Sequence, residues 1–176
     1  GTFNPVKFDA KAIAGLAKAT VADTLADVPG GLPVRFESPL DHFSFEDFGL
    51  DVFVHDRFVL TARCGPIGQY GKGGHAHNDQ NAITLMVDGQ SVIVDPGSTW
   101  YGDPAIRNKD RSTTSHATLV VDDDRYREQN EFPSGRNESM WWMMSDRTQA
   151  HVVTRDRNSW EGAVKYPFGE HRRSIR

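Results

Sequence analysis

A single cysteine, Cys64, in 176 residues leaves no partner for an internal disulfide and excludes a cysteine-rich zinc site. Long hydrophobic runs are also missing. With 38% hydrophobic residues and a mean hydropathy of -0.55, no stretch approaches the roughly 20 apolar residues of a membrane-spanning helix, so no membrane span is expected. Positive charge is not in excess either. Lys and Arg total 20 against 24 Asp and Glu, a net charge of -4, which gives no bulk attraction to nucleic acid or anionic lipid. No nucleic-acid partner is expected, and an acidic ligand must be met by a local basic patch. Aromatic residues are not scarce, at 10%, so the chain can build a core and disorder is excluded; its length suits one ordinary domain.

The start, Gly1-Thr2-Phe3-Asn4-Pro5, lacks the basic region and apolar core of a signal peptide and reads as a cut within a longer protein. The end, His171 to Arg176, alternates without a turn or cap, the pattern of a severed strand, so truncation at the C-terminus is expected. From Asp9 to Leu25, Ile13, Leu16, Ala17, Val21 and Leu25 recur at helical spacing, which predicts the one long helix. Val28 to Pro39, rich in Pro and Gly, ends it as a linker. Residues 1–39 are thus expected to be a helical segment and linker, and 40–176 the main domain.

Beyond Pro39 the period changes to two. Strands are predicted at Phe43–Phe45, Leu50–Val54, Phe58–Ala62, Ala82–Val87, Ser91–Val94, Ala117–Val121, Met140–Met144, Gln149–Thr154 and Gly162–Tyr166. Asp88-Gly89 between two apolar runs signals a tight hairpin. Many short strands without alternating helices predict an all-β fold, an antiparallel β-sandwich with an N-terminal helix or linker segment. The long connections 65–74 and 97–115 hold most of the unusual polar residues.

The densest constellation is Gly73-Gly74-His75-Ala76-His77-Asn78-Asp79, followed by Val94-Asp95-Pro96-Gly97 and Ser115-His116-Ala117-Thr118. In an extended segment His75 and His77 project to one side; Asp95 closes the predicted hairpin and His116 opens a further strand. Two imidazoles and a carboxylate suit zinc, with a fourth position for water. The same residues also serve as ordinary loop hydrogen-bonders, and spacing does not choose. Asp79 suits a turn or an outer acceptor. The Gly-rich run from Gly65 to Gly74 is not a phosphate-binding motif and reads as a flexible rim. His42, His55 and His151, alone beside strands, read as surface or satisfied core histidines. His171-Arg172-Arg173 fits a polyanion contact or a solvated strand face. Trp141 to Met144 reads as an alternating strand, and Trp100 as core or interface packing rather than a sugar platform.

The string GGHAHNDQNAITLMVDGQSVIVDPGSTWYGDPAIRNKDRSTTSHATLVVDD resembles the C-terminal region of the heparinase II/III-like polysaccharide lyases. HxHxD, an apolar strand pair, VDPG, a Tyr-containing loop, RST and a His occur in that family's order from about Arg63 to Gln129, and YPFGEHRRSIR resembles a later strand. The resemblance implies the β-sandwich half of an enzyme whose other half, in the same full-length protein, is an α-helical toroid. Such enzymes cleave uronate-containing acidic polysaccharides, glycosaminoglycans or alginate among them, by β-elimination at the domain interface. It further implies His77, Asp95 and His116 as metal ligands, usually of zinc, with His75 facing substrate and Tyr101 in a site loop. Arg107 and Arg111 would hold a second acidic group of the substrate, and a periplasmic or secreted location is implied. In relatives the decisive Tyr and a further His or Asn come from the toroid, so this chain alone is expected to be inactive. The other function class left open is a non-catalytic, metal-stabilised carbohydrate-binding or accessory domain in polysaccharide metabolism.

Overall fold

The computed structural model describes residues 39–68, 72–132 and 143–176. The helix expected over Asp9–Leu25, most of the linker after it, and Trp141 and Trp142 lie outside the described residues.

Among the described residues eight strands follow Pro39. Strands β1 (Asp41–Phe45), β2 (Leu50–His55), β3 (Phe58–Arg63), β4 (Ala82–Val87) and β5 (Gln90–Ile93) form one antiparallel sheet in sequence order. Strands β6 (Gln149–Arg155), β7 (Trp160–Tyr166) and β8 (Gly169–Ile175) form a second antiparallel sheet. This is the predicted antiparallel β-sandwich. Consecutive strands within each sheet pair across tight turns, except β3 and β4, which pair across the long 64–81 connection. At the β4–β5 hairpin Asp88 and Gly89 take φ of 48° and 77°, the positive angles that a two-residue turn needs for its twist to match that of the strands. Asp88 also accepts both Nε and Nη2 of Arg57 at 3.0 and 2.6 Å, which ties the β2–β3 turn to the β4–β5 turn.

The two inner faces meet in one core. Phe53, Ala62 and Cys64 from the first sheet pack against Trp160, Val164 and Tyr166 from the second, with Leu60, Ile83 and Val152 around them. Each large apolar side chain buried in this way contributes about 1.5–3 kcal/mol. Strand β2 shows the two-residue period plainly, with Asp51, Phe53 and His55 buried and their neighbours half-buried. Asp51 is therefore a carboxylate inside the sandwich. It accepts from His42 Nε2 and Arg155 Nε, both at 2.8 Å, and from Trp160 Nε1 at 2.9 Å. Burial alone would raise its carboxyl, but those hydrogen bonds and the Arg155 charge outweigh it and hold the group below the ordinary carboxylate range. His42 is thus a satisfied histidine, as the sequence suggests. His55 is buried, stacks on Phe58 and accepts the Arg57 N–H, whereas His151 is exposed on β6.

Three expectations change. Ala117–Val121 is not a strand: Thr118 Oγ1 donates to the Gln80 carbonyl at 2.6 Å, so this segment is held by a side chain rather than by a ladder. Met143 and Met144 are likewise outside any strand. The 97–115 connection, read as loop, contains helix α1 (Pro104–Asp110) and a single 3-10 turn at Thr113–Ser115. Asp103 caps α1 by accepting the Ala105 and Ile106 N–H groups, and Pro104 opens it. Asp-Pro is a helix-start signal that the surrounding Gly and Ser residues obscure.

Candidate functional site

The connection between β3 and β4 carries the HxHxD motif. It does not run as a strand. Gly73, at φ 63°, turns the chain so that the N–H groups of His75 and Ala76 both donate to its carbonyl at 3.2 Å. A Cβ at Gly73 would meet the Met144 side chain, so glycine is required there for both its angle and its contact. The two histidines consequently find different partners: the His75 ring lies 5.8 Å from that of Tyr101, and the His77 ring 5.2 Å from that of His116.

The polar run after the motif fastens the loop. Asn78 donates through Nδ2 to Glu128 and to the Asn130 carbonyl, each at 2.9 Å, while its Oδ1 accepts the Asn130 N–H at 2.8 Å. The Gln80 N–H donates to Gln129 Oε1 at 2.9 Å. Asn81, at φ 59°, donates to the Gly162 and His171 carbonyls of the second sheet, each at 3.1 Å. Asp79 forms the turn into β4 through its carbonyl and pairs with Arg63 Nη1 at 3.3 Å. Glu128, Gln129 and Asn130 have no place in the sequence reading of the site. Their only signal is the uninterrupted Asn-Asp-Gln-Asn run from residue 78, too polar for a loop that enters a core strand unless buried partners await it.

His77, Asp95 and His116 each present a ligand atom, all within 4.8 Å of one another. They come from the β3–β4 loop, the chain leaving β5 and the residue after the 3-10 turn. Asp95 Oδ2 lies 2.8 Å from His116 Nδ1, and Oδ1 accepts the Gly97 N–H at 2.8 Å. That bond from His116 is the main reason the Asp95 carboxyl sits below its ordinary value. Burial, then the neighbouring His116, lower the His77 imidazole, so it stays neutral with a lone pair to offer. His116 Nε2 is buried without a hydrogen-bond partner, a costly state for a polar atom. Two imidazoles, a carboxylate and that orphaned nitrogen fit a divalent metal of the zinc type; these residues do not assemble the oxygen cage that calcium prefers.

Beside the cluster opens a cavity of about 550 Å³, with Phe48, Leu50 and Ile67 on its apolar wall and His75, His77 and Asp95 at its polar end. Tyr101 is 47% exposed. Arg107 and Arg111 are 1% and 0% exposed, so neither stands at the surface. Arg111 donates to Asn108 Oδ1 and the Met143 carbonyl, both at 2.8 Å through Nη2, and lies over the Phe132 ring. Burial, then the Arg107 charge, push its guanidinium down to about 10. The Arg107 guanidinium lies over the Tyr101 ring, 4.1 Å from its centroid. Trp100 is 58% exposed and therefore outside the core.

The fold and site together define an antiparallel β-sandwich domain with a histidine-carboxylate cluster beside one open cavity. Residues 37–176 match the family model described as heparinase II/III-like, C-terminal, and the chain belongs to that family. Among solved structures, a heparinase III gene product matches with TM-score 0.52 at 18% identity, over 93% of this chain and 24% of that one. The same gene product with methylated lysines matches at 0.51 and 17%, with the same coverage. A crystal structure of heparinase III matches at 0.50 and 14%, over 78% of this chain and 20% of that one. These likenesses establish the fold, and the chain spans about a quarter or less of the proteins it matches. No curated protein matches the chain. Among the described residues no helix is long and apolar enough to cross a membrane.

Proposed function

We propose that this chain is the sandwich half of a lyase that cleaves a uronate-containing acidic polysaccharide by β-elimination, with zinc held by His77, Asp95 and His116. The observation that carries the reading is that His75, which lines the cavity together with His77 and Asp95, has the Tyr101 ring beside it, 5.8 Å away between ring centres.

The reaction needs the uronate carboxylate neutralised, the proton beside it removed, and the glycosidic oxygen protonated as its bond to carbon breaks and the ring double bond forms. His75 is exposed and offers an N–H to the carboxylate, which stabilises the aci-enolate as charge moves onto it. Tyr101, exposed beside His75, offers a phenol suited to moving a proton at the carbon or the departing oxygen. Bound zinc would supply charge and pin three separate connections together, orienting His75 through its neighbour His77. A helical domain elsewhere in the full-length protein would close the cleft and bring the remaining acid-base groups.

The test is ultraviolet absorbance of the unsaturated uronate product, with mass confirmation, for the full-length protein on several uronate polymers. Turnover that His75→Ala abolishes supports the reading. Absence of product with both this chain and the full-length protein overturns it, in favour of a metal-stabilised accessory domain.

A further inference from the structure

Arg107 belongs to α1 one turn before Arg111, and both side chains run into the interior. Burying two like charges on one face of a seven-residue helix is costly. An exposed loop tyrosine needs no such cation in order to fold. Yet the Arg107 guanidinium lies 4.1 Å from the centre of the Tyr101 ring, while that ring keeps 47% of the residue's surface open. The His75 ring flanks it 5.8 Å away. The charged and titratable groups shown about Tyr101 are Arg107 from α1 and His75 from the β3–β4 loop, with Asp110, the last residue of α1, accepting the Thr99 N–H of the Tyr101 loop at 2.6 Å. Asp103, the nearest carboxylate along the chain, turns its Oδ1 to the Ala105 and Ile106 N–H groups as the helix cap. The charge in contact with the ring is the Arg107 guanidinium.

We propose that Arg107 is a positioning residue acting through Tyr101: its guanidinium, stacked on the ring, holds the tyrosine beside His75 and stabilises the phenolate when the proton leaves. A cation against an aromatic face stabilises the ring, and stabilises the anion more than the neutral phenol. The Arg107 guanidinium, opposed by slight burial and aided by Ser98, lowers the phenol below its ordinary value. The role in turnover rests on the lyase reading above; the coupling of Arg107 to Tyr101 does not.

The experiment follows the ring carbons of 13C-labelled tyrosines by NMR as a function of pH, with Tyr101→Phe assigning the signal. The expected midpoint of Tyr101 lies below that of free tyrosine, and Arg107→Gln raises it by about one pH unit, a tenfold change in acid dissociation. Arg107→Lys, which keeps the charge and loses the planar stack, retains part of the shift. In the lyase assay Arg107→Gln lowers kcat and moves the pH profile to higher pH with little change in KM. A Tyr101 midpoint unmoved by Arg107→Gln in a folded variant overturns the proposal, as does a raised KM with an unmoved profile, which would return Arg107 to substrate binding. Should Arg107→Gln not fold, a wild-type midpoint at or above that of free tyrosine overturns it alone. A shifted midpoint in a protein that yields no unsaturated product sinks the lyase reading and leaves the Arg107–Tyr101 coupling standing.

Discussion

At the residue scale, His75 and His77, two apart in sequence, meet different rings, those of Tyr101 and His116. His77→Ala or His116→Ala is expected to lose stoichiometric divalent metal on elemental analysis of chelator-free protein, whereas His75→Ala keeps it and loses turnover in the full-length protein. Equal metal loss in all three would show that the tasks are not divided. A second histidine sets a pH limit. His171 is lowered from 6.5 to about 4, first by burial and then by Arg173. Between those values the unfolded chain binds a proton that the folded chain refuses, so stability is complete above about pH 6.5 and falls as pH drops toward 4. The shift corresponds to about 3 kcal/mol. Thermal melts from pH 7 to 4 should show a shallower decline for His171→Gln than for wild type.

At the element scale, the sheets are joined by polar groups as well as by apolar packing. Asp51 on β2 accepts from Arg155 on β6 and Trp160 on β7. Asp51→Ala leaves both donors without it and is expected to cost about 3–5 kcal/mol in urea denaturation. Gly162 of β7 lies where the Asn81 carboxamide reaches across from the first sheet. A Cβ there would overlap Asn81 Oδ1 and approach the Trp160 ring and Cys64, so Gly162→Ala is expected to cost about 1–3 kcal/mol and to disturb the strand entry next to the site loop. Helix α1 is short enough for its cap to matter. Asp103→Ala should cost about 1 kcal/mol and, by loosening Arg107, blunt the Tyr101 titration shift.

At the scale of the whole molecule, the proposed metal would close three connections that no strand ladder joins. Chelation is expected to lower the melting temperature, and zinc to restore it, in a calorimetric scan; a melting temperature indifferent to both would remove the metal from the account. The 176-residue chain by itself is expected to give negligible turnover on uronate polymers, because His75 and Tyr101 reach the sugar from one side only. Clear turnover by this chain, abolished in Tyr101→Phe, would place a complete acid-base set within the sandwich.

Period-two runs and the Asp-Gly turn carried the strands in the sequence itself, since alternation and tight turns are local properties: Ala82–Val87 has the same limits as β4, and Leu50–Val54 falls one residue short of β2. The His77, Asp95 and His116 set was legible as residue types suited to zinc and as part of a family pattern. Other features depended on long-range partners that no local pattern contains. Ala117–Val121 has strand-forming residues but joins no ladder, and its start bends, with the Thr118 N–H donating to the His116 carbonyl at 2.9 Å. His75 and His77 would share a side in an extended chain; the positive φ of Gly73 and the Met144 contact divide them. Arg107 and Arg111 read as cations awaiting an acidic substrate, because charge in a loop ordinarily means surface. Only the tertiary structure turns α1 so that both enter the interior, where one meets Asn108 and the Met143 carbonyl and the other meets the Tyr101 ring.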